Sequence, residues 1–202
     1  EDLYEDIGER MVGDIDLIIS LENVKKADKI LRDHKYSSNS IMFSDHRHLP
    51  RLTNLDKIAA IEIHKELLIE KYADEFNYII VEKDTQTIND VNVMSFDNQL
   101  ALSIIANQIN DSGIYYKSFA LRNAYDVFLI SKRTIAINAF DKFINLKNPL
   151  NCFLASCYEV FNQPKYSAYN STVEIAAYLN TFKEQLEDKV LRNKSHQKTK
   201  RK

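Results

Sequence analysis

The hydrophobic pattern of this chain changes period once, near residue 90, and that change limits its architecture more than any other feature. Before it, short β-branched runs alternate with polar turns. Residues 14–20 (DIDLIIS), 40–44 (SIMFS), 57–67 (KIAAIEIHKEL) and 78–83 (YIIVEK) each predict a strand. Val24, Ala27, Ile30 and Leu31 recur at helical spacing and predict a helix over 21–34. After it, apolar residues follow the helical period. Helices are expected over 95–111, with Ser95 as cap, and over 116–133, with Phe119, Tyr125, Phe128 and Leu129 on one face. Three more are expected near 134–146, 149–162 and 171–192, with Pro149 and Pro164 where helices begin or stop. The chain should therefore be α+β. A small mixed sheet with flanking helices is expected over 1–92, a helical portion over 93–192 and a basic, disordered tail over 193–202.

Composition narrows the chemistry. At 202 residues the chain can hold one large domain or two small ones. Its three glycines rule out a Gly-rich phosphate-binding loop within it. If phosphates are bound, side chains and a metal must hold them. The net charge of −2 predicts no broad nucleic-acid footprint and leaves local patches open. Cys152 and Cys157 have neither metal-ligand spacing nor the look of a disulfide framework, so a reduced, cytoplasmic setting is expected. No apolar run reaches the ~18 residues needed to cross a bilayer, and no membrane partner is expected. Glu1 rather than Met opens the chain, which leaves room for residues ahead of it.

The strand at 14–20 carries the sharpest signal. Residues two apart on a strand share a face, so Asp14 and Asp16 lie side by side, with Cα atoms roughly 7 Å apart. Ile15, Leu17 and Ile19 would then point into the core. Two neighbouring carboxylates repel unless a positive charge intervenes, and a hard divalent cation suits such oxygens. The plainer alternative is a strand edge that touches water. Glu62 is a third acid on another apolar strand, with Ile61 and Ile63 on its opposite face. It either joins the aspartates or pairs with a Lys. The turn DHRHLPRLTNLD brings His46, Arg47, His48 and Arg51 together; a solvated loop is the favoured expectation, with phosphate contact the alternative. His64 is expected to pack or to support a neighbour. Arg122 and Asp126, four apart on one helix, are expected to pair with each other.

These residues carry a resemblance. The run R-M-V-G-D-I-D-L-I-I is similar to the start of the uncharacterised nucleotidyltransferase family of the DNA polymerase beta-like superfamily. In that scheme an Arg precedes a D-I-D-L strand, and a later hydrophobic strand bears a third acid followed by His. Arg10, Gly13, Asp14, Asp16, Glu62 and His64 fit it. MSFDNQLALSIIANQI and FALRNAYDVFLI, with Leu121, Arg122 and Asp126, resemble the family's helical region. The likeness spans roughly residues 3 to 135. No Gly/Ser motif precedes Asp14 within these residues, so it either lies ahead of Glu1 or is absent, and the third acid is Glu where the family frequently has Asp.

The resemblance implies transfer of a nucleoside monophosphate from an NTP to a hydroxyl acceptor, with Mg²⁺ or Mn²⁺ as cofactor. Asp14, Asp16 and Glu62 would be the metal ligands and catalytic acids, with Glu62 also the general base. Arg10, Gly13, Arg47 and Arg51 would meet the nucleotide. His64, Arg122 and Asp126 would support the site. The acceptor could be a small molecule, a protein or tRNA. Two alternatives stand beside this: a toxin-type enzyme acting on tRNA, with which the basic tail is compatible, and a non-catalytic interaction module on the same scaffold.

Overall fold

The computed structural model describes residues 3–10, 13–38, 46–118, 120–162 and 168–200. The chain divides into two units, Glu1–Ile88 and Asn89–Lys202.

In the first unit, β1 (Asp14–Ile18) pairs in parallel with β2 (Ala60–His64). The register sets Asp14 beside Ala60, Asp16 beside Glu62 and Ile18 beside His64. Between them in sequence lies α1 (Val24–Asp33), shorter at its start than the hydrophobic period suggests. Parallel strands need such a crossover, and α1 supplies part of it. Val24, Leu49, Leu52 and Ile63 form one core cluster, with Ile19, Ala27, Leu31 and Tyr36 packed against them. Of the β1 residues expected to face inward, Ile15 is instead 47% exposed. The core contact comes from Ile19, just past the strand end.

The turn after residue 45 is not a solvated loop. Leu49 N donates to Ile63 O, and Leu52 and Ile61 exchange both backbone hydrogen bonds, each at 2.8 Å. The bridges His48–His64 and Leu52–Ile61 are antiparallel, and Ser37–Thr53 extends the pairing outward. β2 thus has a parallel neighbour on one side and an antiparallel run on the other, which makes the sheet mixed. The apolar pair Leu49 and Leu52, both buried, drives this run onto β2. The strand expected at 40–44 lies outside the described residues.

Two further segments differ from expectation. Residues 78–83 form not a strand but a short helix, α2 (Tyr78–Glu82), after a 3-10 turn at Glu70–Glu75. Asn77 decides this: its side chain accepts from Ile80 N and caps the helix, which buries Val81. A short apolar run does not by itself separate strand from helix. An unexpected pair, β3 (Thr85–Ile88) and β4 (Val91–Met94), then forms a two-stranded sheet. Asn89 and Asp90 turn it with φ of 49° and 62°. Positive φ at both positions is the twist a two-residue hairpin requires, and Asn and Asp tolerate it.

After β4 the second unit is built from helices. α3 (Phe96–Ile105) is capped by Ser95 and runs on into a π-helical turn, Ala106–Asn110. The short α4 (Gly113–Tyr116) follows, then α5 (Leu121–Ile130), α6 (Ile137–Lys142) and α7 (Lys147–Phe161). Gly113 lies so close to the π turn that a Cβ would sit 2.9 Å from Asn107 O and Gln108 Nε2. α8 (Val173–Glu187) lays Ile175, Tyr178, Leu179 and Phe182 against Cys152 and Ala155 of α7. α9 (Lys189–Lys200) is helical where a disordered tail was expected from 193. Asp188 starts it by accepting from Val190 N and Leu191 N, and packing against α8 and α4 holds it. No helix among the described residues is long and apolar enough to cross a membrane.

Candidate active site

The parallel register makes the site. Asp16 and Glu62 are cross-strand partners, and His64 follows Glu62 on the same face of β2. One ligand atom from each of the three lies within 4.8 Å of the others. His64 Nε2 is 3.0 Å from Asp16 Oδ1 and 3.7 Å from Glu62 Oε2. Arg47 Nη1 reaches His64 Nδ1 at 3.2 Å. A guanidinium can only donate, so Nδ1 accepts and the ring proton on Nε2 is donated to Asp16. Arg47, His64 and Asp16 therefore form a directed chain of hydrogen bonds. The imidazole is buried, whereas the Asp16 side chain is 67% exposed and open to an incoming group.

Electrostatics follows from this chain. The hydrogen bond from His64 holds the Asp16 carboxyl below its usual range; partial burial opposes this, and the positive charge of Arg47 assists. Asp16 is thus an anion ready to meet a cation. His48 adds a second imidazole: its Nδ1 donates to Leu49 O at 2.8 Å and lies 3.7 Å from Glu62 Oε2. The rings of His48 and His64 are 5.1 Å apart, and those of His46 and His48 are 4.3 Å apart. Removal from water and the neighbouring His48 and Arg47 lower the His46 pKa.

Asp14 stands apart from the three-residue group. Its Oδ2 lies 3.8 Å from Arg51 Nε, and Arg51 Nη2 donates to Gly13 O at 2.7 Å. Arg51 thereby ties the antiparallel run to the start of β1. At Gly13 a Cβ would meet Arg51 at an ordinary 3.7 Å, so space does not require glycine there. Arg10 is half-buried in extended backbone just past the 3-10 turn Ile7–Glu9. Arg122 and Asp126 lie on α5 in the second unit, the first exposed and the second half-buried. His48 is the residue whose place beside Glu62 sequence reasoning did not single out. The signal was there in Leu49 and Leu52, whose spacing and apolar character mark a run that packs.

The sequence profile of the family described as uncharacterised nucleotidyltransferase matches residues 1–161. The chain belongs to that family. No curated protein and no solved structure matches it significantly.

Proposed function

We propose that the chain catalyses metal-dependent transfer of a nucleoside monophosphate from an NTP to a hydroxyl acceptor. The observation that carries this reading is the convergence of Asp16 and Glu62 across the parallel strands, beside a buried, oriented His64. The donor set fits a hard divalent cation such as Mg²⁺ or Mn²⁺: two carboxylates from adjacent strands, one of them open to solvent. Asp16 and Glu62 would hold the ion, with Asp14 joining them once its carboxylate turns from Arg51. Such an ion supplies charge neutralisation of the triphosphate and lowers the pKa of a bound hydroxyl.

The residues supply the rest. The acceptor oxygen attacks the α-phosphorus, a new P–O bond forms, and the α–β anhydride bond breaks to release pyrophosphate. Glu62 receives the acceptor's proton as general base. Arg51 and Arg47 contribute guanidinium groups suited to phosphate oxygens. His64 does not react; it holds the Asp16 carboxylate in position and keeps it ionised.

The test is calorimetry with Mn²⁺ and each of the four NTPs. Binding of at least one NTP that depends on the ion, and that is abolished by Asp16→Asn, supports the reading. No heat with any of them rules it out.

A further inference from the structure

Charge is segregated in this chain. Residues 189–202 hold seven of its 27 Lys and Arg and none of its 29 Asp and Glu, which leaves 20 basic against 29 acidic side chains in the rest. A slightly acidic protein thus carries one strongly basic element, and most of that element is the helix α9.

Among the described residues, α9 docks through one face. Ser195 Oγ accepts from Gln185 Nε2 of α8 at 3.1 Å. His196 Nε2 lies 3.2 Å from Tyr116 O of α4, and the two rings are 4.8 Å apart. Arg192, Ser195 and His196 are the half-buried positions, and their spacing defines the docked face. Lys194 and Lys198, one turn apart, are exposed on the other side. The nearest acids in sequence, Glu184, Glu187 and Asp188, gather at the N-terminal end of α9, where Asp188 caps it.

We propose that this outer face of α9 binds the phosphate backbone of RNA, and that RNA is the acceptor class of the transfer reaction. This rests on the nucleotidyl transfer proposed above. A polyanion complements a face whose charges are all of one sign. A membrane would need a broad apolar face opposite the lysines, and the large exposed apolar residues of α9 are Val190 and Leu191, at its first turn. A protein partner would need an apolar centre, which this face does not offer. RNA also brings the chemistry the reaction consumes, since its 3′ ribose presents hydroxyl groups.

The experiment measures fluorescence anisotropy of a labelled single-stranded RNA of mixed sequence, with DNA of the same sequence, phosphatidylserine vesicles and polyglutamate as competitors. The full chain should bind the RNA. The K194E/K198E variant should bind it about tenfold or more weakly near 0.1 M salt, and its log Kd against log salt should be shallower by about 0.7 for each phosphate left without its lysine. K194Q/K198Q should fall between. Both substitutions are at exposed sites, so far-UV circular dichroism should be unchanged. In the full chain, label from an NTP should reach the 3′ end of this RNA; RNA bound but left unlabelled, with NTP binding intact, overturns RNA as the acceptor. Loss of NTP binding with intact RNA binding overturns the catalytic reading and leaves the RNA-binding face standing. The proposal is overturned if RNA is not bound, if K194E/K198E binds it as well as the full chain, or if DNA, vesicles or polyglutamate displace it equally well.

Discussion

His64 Nε2 donates to Asp16 Oδ1 across two parallel strands, over 3.0 Å, although 48 residues separate them in sequence. The same ring accepts from Arg47, so one buried imidazole orients both an acid and a base of the site.

That chain of hydrogen bonds makes His64 a stability element as well as a site residue. Replacing it by alanine leaves Arg47 without this acceptor and Asp16 without this donor. The expected cost is about 1–3 kcal/mol in urea unfolding. Glutamine, which keeps a donor and an acceptor, should recover part of it. An alanine variant as stable as the parent would contradict the geometry.

Asp16 and Asp14 should separate in their effects. On the proposed reaction, Asp16→Asn is expected to lower nucleotidyl transfer by about 10²-fold or more, since it removes a carboxylate assigned there to the metal. Asp14→Asn should cost activity too, yet it also releases Arg51, and a rise in KM for NTP should accompany the loss in kcat. Steady-state kinetics of the two variants side by side checks this.

Arg51 and Gly13 offer a sharper pair. Among the described residues Gly13→Ala meets nothing closer than 3.7 Å, and it should change stability by less than about 0.5 kcal/mol. Arg51→Ala removes the donor to Gly13 O and the partner of Asp14. It should raise KM for NTP while leaving the Tm within a few degrees. A thermal melt and a KM determination on both variants decide the matter.

The buried thiols give a pH signature. Burial pushes Cys152 from an ordinary 9.0 up to about 11, and pushes Cys157 higher still. In the folded protein both stay protonated where an unfolded thiol ionises. Their contribution to stability is therefore complete below pH 9 and is lost as pH rises toward 11 and beyond. The double alanine variant, less stable at pH 7 because of the space it empties, should show a flatter alkaline decline. Native protein should also react slowly with a thiol reagent at about pH 8 and quickly once unfolded.

Packing of the antiparallel run can be tested directly. Leu52 is only 1% exposed and sits in the core with Val24, Leu49 and Ile63. Leu52→Ala should cost about 2–5 kcal/mol. Because that run carries Arg47 and His48 to β2, activity should fall even under conditions where the variant is folded.

Much of the fold could be read from residue order, for a physical reason. The β-branched runs at 14–18 and 60–64 and the amphipathic helices after 95 carry local periodicity that sequence displays openly. Helix α2 could not be separated from a strand by its apolar run alone; Asn77 as a cap was the missing clue. The Asn89–Asp90 turn was a readable hairpin signal between two weakly apolar runs. The site was legible in its acids. Its assembly was not, because which side chains meet depends on strand register, a property of the pairing and not of either strand. Hence Asp14 and Asp16, equivalent in sequence, face different partners, and His64 gains a neighbour that no spacing rule would have offered it.

The parallel pairing of β1 with β2 also has a kinetic side. Residues partnered 46 positions apart, Asp14 with Ala60, meet only after a long loop has closed. Helices form from near neighbours and need no such closure. On refolding, helical signal should return first, and the cluster of Asp16, Glu62 and His64 should be among the last features to assemble. Chains still waiting for that step would display helix without any capacity to hold a metal.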